Sequence, residues 1–125
     1  MKKLFLDASV LMEIMFGRSK LDLISGILHN PDYEFSISVL TTHILYYFAE
    51  SKGLDRDFVK KLIDLAKQLP LNESTVLLAQ QRYNNKDFED CLQAACAELN
   101  GCDEILSLDK NFEKYSGTKL RVLTF

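Results

Sequence analysis

Lys3-Leu4-Phe5-Leu6-Asp7-Ala8-Ser9-Val10-Leu11 stands at the head of the chain, and its reading decides the fold. Lys3 to Leu6 is a short apolar run without alternation, the pattern of a strand buried on both faces. Asp7 ends it. From Ala8 to Phe16 the period changes, with Val10, Leu11, Ile14 and Met15 at helix spacing until Gly17 interrupts. The basic-then-apolar opening has the look of an export signal. Asp7 and Glu13 break its apolar stretch, so it reads as a first strand, and the chain is expected in the cytoplasm.

The same alternation runs outward from this start. Leu21, Ile24, Ile27 and Leu28 form a second helical face, stopped by Asn30-Pro31. Tyr33 to Ile37 is the next strand, and Ser38 can cap a helix whose stripe is Leu40, Ile44, Tyr47 and Phe48. Phe58, Leu62 and Leu65 mark a helix opened by Asp55 or Asp57. Leu69-Pro70-Leu71 is a candidate small strand, and Asn72 or Ser74 opens a helix through Val76, Leu77 and Gln80. Asp87 to Leu99 is the clearest helix, with Phe88, Cys91, Leu92, Ala95 and Leu99 as its stripe and Asn100-Gly101 as its stop. Glu104 to Leu108 is a strand leading into Asp109, and Leu120 to Phe125, entered through Gly117, is the last. Strands separated by helices imply right-handed crossovers. The expected fold class is therefore α/β: one three-layer α/β/α domain over residues 1–125, with a central, mostly parallel sheet.

Composition sets the outer bounds. With 125 residues, 47% hydrophobic and 26% charged, the chain suits one soluble globular domain and leaves no room for a second core. No run approaches the ~20 apolar residues of a membrane helix. Cys91, Cys96 and Cys102 are an odd count without a C-x-x-C pair, and Cys91 and Cys96 fall on a helical pattern as small core residues. His29 and His43 are too few for a histidine-rich metal site. A net charge of −3 weighs mildly against nucleic acid. Lys52, Arg56, Arg82, Lys86, Lys110 and Lys114 are candidates for a local basic rim. Tyr46, Tyr47 and Tyr83 are candidates for a surface patch, or for packing under neighbouring helices.

Four acids stand out by position. Asp7 and Asp109 each follow an apolar strand directly, which puts both at the C-terminal edge of the sheet, where α/β folds place their ligands. Carboxylates gathered there repel one another and lose water, and a hard divalent cation resolves both costs. Taken singly, each also suits a cap for the element that follows. Asp87 and Asp90 open the best helix at capping-box spacing, where acids favour the helix dipole.

Several segments resemble the PIN-domain nucleases. Leu4-Phe5-Leu6-Asp7-Ala8-Ser9-Val10-Leu11 is similar to their opening strand. Ser38-Val39-Leu40-Thr41-Thr42-His43 is similar to the entry of their second motif. Asp87-Phe88-Glu89-Asp90 and the helix Asp90 to Ala97 resemble their third, and Ile105-Leu106-Ser107-Leu108-Asp109-Lys110-Asn111-Phe112 resembles their last. The likeness spans the chain in order and spacing. It implies that Asp7, Asp90 and Asp109 are catalytic, metal-binding acids, with Ser9, Asp87 and Ser107 supporting them. It further implies an Mg²⁺- or Mn²⁺-dependent endoribonuclease of the VapC toxin type, acting on RNA, paired with an antitoxin protein and often a homodimer.

One departure is large. Where the family usually carries Glu after the second-motif entry, this chain has Ile44. His43 beside it points about 100° round the helix and is expected to be partly buried. Glu50, nearly two turns on, is expected in solvent. The alternative function is therefore a catalytically degenerate PIN-fold module that binds or regulates. A phospho-receiver fold also clusters acids at strand ends, but Leu6-Asp7-Ala8 lacks the adjacent acidic pair that fold uses.

Overall fold

The computed structural model describes residues 1–83, 87–115 and 120–124. Five strands form one sheet: β1 Lys2–Leu6, β2 Tyr33–Ser38, β3 Lys67–Leu69, β4 Glu104–Ser107 and β5 Arg121–Thr124. Their order is β3-β2-β1-β4-β5, and every pairing is parallel. The expectation of a mostly parallel sheet is thus met in its strictest form, because every described connection is a crossover through a helix rather than a hairpin. Six α-helices are described: α1 Ala8–Met15, α2 Leu21–Leu28, α3 Val39–Lys52, α4 Arg56–Ile63, α5 Glu73–Arg82 and α6 Phe88–Leu99. A 3₁₀ helix covers Lys110–Tyr115.

Alternation along β1 divides the interior into two cores. Leu4 and Leu6 enter a core with Val10, Ile24, Leu45 and Val59, under α1 to α4, whereas Phe5 turns to the core of Ala79, Cys91, Ala95 and Phe112, under α5, α6 and the 3₁₀ helix. Strand β4 repeats the pattern with Leu106 on the first side and Ile105 on the second. Helices therefore cover both faces, and the architecture is three-layer α/β/α. The three cysteines are free and buried, as small core residues.

Local signals explain the boundaries. Ser38 Oγ accepts from Thr41 N–H and caps α3, whose end is closed by Gly53 at φ 69°, a conformation a side chain disfavours. Asp55 caps α4, and Asn72 forms a reciprocal capping box with Thr75 at the start of α5.

Three helix stripes differ from the reading. In α3 the buried set is Thr41, Ile44, Leu45 and Ala49, while Tyr47 is 62% exposed. In α6 the buried set is Cys91, Gln93, Ala94, Ala95, Cys96 and Ala97, and Phe88 and Leu99 are exposed. Helix α6 packs against α5 and also against the sheet, so it buries a wide arc of small residues and leaves large ones at its ends. Phe58 and Leu65 are likewise exposed, the core side of α4 being Val59, Leu62 and Ile63. Tyr83, read as a surface candidate, is 3% exposed and stacks edge-on against Tyr115. His43 is exposed, not partly buried. Gly117 and Lys86 fall outside the described residues. Among the described residues no helix is long and apolar enough to cross a membrane.

Candidate metal centre

The register of the sheet places the site. Phe5 lies level with Ser36 of β2, and Leu6 with Leu106 of β4. Carried on to the strand ends, this register puts Ser38, Asp7 and Ser107 on one rung. Ser38 is itself paired with Leu69, and Ser107 with Thr124. The rung lies at the C-terminal edge, where the chain moves to one side of β1 for β2 and to the other for β4. That reversal of strand order is where open α/β sheets form their crevice.

Asp7 is 5% exposed. It occupies the N-cap position of α1, but its side chain makes no capping hydrogen bond. Instead Oδ2 accepts from Ser9 Oγ and from Ser107 Oγ, each at 2.8 Å. The two hydroxyls in turn accept the backbone N–H groups of Leu108 and Asp109, both at 3.1 Å. One carboxylate oxygen thereby ties the start of α1 to the segment after β4. Burial pushes the Asp7 carboxyl above its ordinary range, and the bonds from Ser9 and Ser107 pull it partly back.

Asp87 is the cap of α6, with Oδ1 accepting from Glu89 N–H at 3.0 Å and Asp90 N–H at 3.3 Å. It holds the backbone from which Asp90 projects. Asp90 is partly buried, and its carboxyl is pushed up to about 7, first by burial and then by Asp7, Asp87, Asp109 and Glu89. Glu89 is also raised, by loss of solvent on one side and then by Asp87 and Asp7. Asp109 is exposed, and its Oδ1 accepts from Asn111 N–H at 2.9 Å, capping the 3₁₀ helix.

The structure therefore joins Asp7, Ser9 and Ser107 by direct hydrogen bonds and sets Asp90 and Asp109 in a shared field. Ile44 is buried at the wall of a cleft of about 320 Å³, lined by Leu40, His43, Ile44, Tyr47, Phe48 and Glu89. Glu89, which the sequence reading named only within the motif Asp87-Phe88-Glu89-Asp90, brings an acid to that cleft from α6. The basic rim is partly spent: Arg56 pairs with Glu50 at 2.6 Å and Arg82 pairs with Glu98. Lys110 and Lys114 are exposed beyond Asp109, and Lys114 sits over the Tyr115 ring at 5.6 Å.

Residues 4–117 match the family model of the PIN domain. The chain belongs to the PIN-domain family. It is 28% identical over 121 residues to Ribonuclease VapC1 of Aquifex aeolicus, covering 89% of this chain and 84% of that one. The fold is shared with DNA-bound VapBC from Salmonella typhimurium at a TM-score of 0.72, 18% identity, and coverage of 99% and 98%. It is shared also with VapC20 of Mycobacterium tuberculosis, described as a toxin that cleaves the sarcin-ricin loop, at a TM-score of 0.70, 12% identity, and coverage of 94% and 98%.

Within this PIN domain the donor chemistry fits a hard cation. The acids are oxygen donors, and Asp7, Asp87, Asp109 and Glu89 add to the burial that raises Asp90. Among the described residues, however, no three His, Cys, Asp or Glu side chains converge into one metal-binding cluster. The fit is that of a sparse site, one or two carboxylates with water and phosphate oxygens completing the shell, which is how Mg²⁺ commonly binds.

Proposed function

We propose that residues 1–125 act as one PIN-type endoribonuclease domain that cleaves RNA phosphodiesters with Mg²⁺ or Mn²⁺ at the acids Asp7, Asp90 and Asp109, one or two of these carboxylates reaching the ion while water and phosphate oxygens complete its shell. One observation carries the reading: Asp7 lies buried at the switch point of the sheet, near enough to act on partly buried Asp90, whose carboxyl is pushed up to about 7 by burial and then by Asp7, Asp87, Asp109 and Glu89. A bound divalent ion supplies a polarised phosphate and an activated water. The chain's own groups do the rest. Ser9 and Ser107 fix the rotamer of Asp7 by occupying Oδ2, which leaves Oδ1 free of them. Asp87 holds the first turn of α6 and with it the base of Asp90. Asp109 adds to the field that raises Asp90. The relative named Ribonuclease VapC1 supports RNA as substrate, and neighbours solved as VapBC toxin–antitoxin proteins support an antitoxin partner; a homodimer is part of the same proposal. RNA as substrate puts the site of action in the cytoplasm. The test is direct: purified protein with single-stranded RNA is expected to cleave it with Mn²⁺ and to stop on addition of EDTA. Cleavage indifferent to EDTA ends the proposal.

Ile44 favours the second reading, a degenerate module, since it puts an apolar wall where the family usually has an acid. Ile44→Glu separates the two. With the site adequate as it stands, cleavage is expected to change less than about threefold, because Mg²⁺-type sites need only one or two carboxylates. A gain of two orders of magnitude or more in the RNA assay assigns the natural chain to the degenerate class.

A further inference from the structure

We propose that Gln93 is a positioning residue that sets where Asp90 stands relative to Asp7, through a closed hydrogen-bond circuit with Ser38 and Thr41. The inference rests on the reading of Asp7 and Asp90 as cation-holding acids. Ser38 Oγ donates to Gln93 Oε1 at 2.7 Å, Gln93 Nε2 donates to Thr41 Oγ1 at 2.8 Å, and Thr41 N–H donates to Ser38 Oγ at 3.2 Å. All three residues are fully buried. An amide in a core costs stability unless its partners are in place; with them in place it rigidifies its surroundings.

The other residues buried along α6 are small: Cys91, Ala94, Ala95, Cys96 and Ala97. The alanines among them make only non-directional contacts, and the bonds of Cys91, Cys96 and Glu98 run to Tyr83, Pro70 and Arg82, so none of them refers α6 to the end of β2. Directional bonds of 2.7–2.8 Å do not survive a shift of about 1 Å. Ser38 lies on the rung of Asp7, and Gln93 is three residues from Asp90, about 4.5 Å of helix rise. The circuit refers the helix bearing Asp90 to the rung bearing Asp7, while Ser107 refers Asp7 to the same rung from the other side. Without Gln93, nothing directional among the described bonds joins α6 to the end of β2.

The test is Mn²⁺ binding to the whole chain by titration calorimetry, well below the unfolding temperature, with RNA cleavage in parallel. Gln93→Leu keeps the volume and removes both amide bonds. It is expected to weaken Mn²⁺ binding tenfold or more and to lower kcat, with KM for RNA little changed and raised Mn²⁺ restoring part of the rate. Val59→Ala, in the core on the opposite face of the sheet, is expected to lower Tm and keep wild-type Mn²⁺ affinity. Thr41→Val removes only the acceptor of Gln93 Nε2 and stands in should Gln93→Leu fail to fold; at least a threefold weakening is expected. Wild-type Mn²⁺ affinity in the folded Gln93 or Thr41 variant overturns the proposal, and so does an equal loss in Val59→Ala, which would mark general loosening. Asp7→Asn is the reference. If it binds Mn²⁺ like the wild type, the metal reading fails and takes this inference with it; a loss in Asp7→Asn with none in Gln93→Leu defeats the positioning role alone.

Discussion

Asp7→Asn is expected to reduce Mn²⁺-dependent RNA cleavage on the order of 10³-fold, equivalent to about 4 kcal/mol of transition-state stabilisation, while leaving the protein folded. The two halves of this expectation come from one fact, that Asp7 is 5% exposed and raised by burial. A buried carboxylate is penalised when ionised, so replacing it with a neutral side chain of the same shape removes a cost. Asn keeps an oxygen to accept from Ser9 and Ser107, so the link between α1 and the end of β4 survives. The melting temperature at pH 8 without metal is expected to match or exceed that of the wild type. Cleavage assays on both proteins, with melting curves alongside, check it. Wild-type rates in the variant would assign the activity elsewhere, and a collapse of Tm would contradict the burial argument.

Metal-free protein should lose stability as pH rises, and Mn²⁺ should reverse the loss. Asp90 has a folded value of about 7 against an ordinary 3.8. The sign follows from linkage: a raised carboxyl binds its proton more tightly in the folded state, so its contribution is complete below 3.8 and is lost as pH climbs through about 7. Discounted for solvent screening of a partly exposed group, the loss from pH 5 to 8 is about 1 kcal/mol, or about 4 °C in Tm. Mn²⁺ at a hundred times its dissociation constant should add about 2.7 kcal/mol. The gain is expected to be larger at pH 8 than at pH 6, where the cation competes with the proton on Asp90. Melting curves across that range with EDTA and with Mn²⁺ decide it. A flat profile in both would mean that Asp90 is not held up by its neighbours.

Much of this was legible along the chain because the signals are local. Apolar runs without alternation mark β1 and β4 as strands buried on both faces, and Ser38, Asp55, Asn72 and Asp87 mark helix starts by bonds that span two or three residues. What was missed depends on partners far away. Gln93 gave no local signal within the helix Asp90 to Ala97, because its bonds go to Ser38 and Thr41, 55 and 52 residues distant. The stripe of α3 came out rotated because period alone says that a helix has an apolar face, and not which arc its neighbours cover.

By itself, the sequence determined the succession of strands and helices, the family, and the arrival of Asp7 and Asp109 at strand ends, all of which follow from side-chain pattern and short-range bonding. Only the tertiary structure decided that Asp7 is locked by Ser9 and Ser107, that Asp90 stands in its field, that Asp109 also caps the 3₁₀ helix, and that Tyr83 is buried while His43 and Tyr47 are exposed. The reason is physical: burial and charge coupling are set by what packing brings within a few ångströms, and residues a hundred positions apart become neighbours only when the sheet has chosen its strand order.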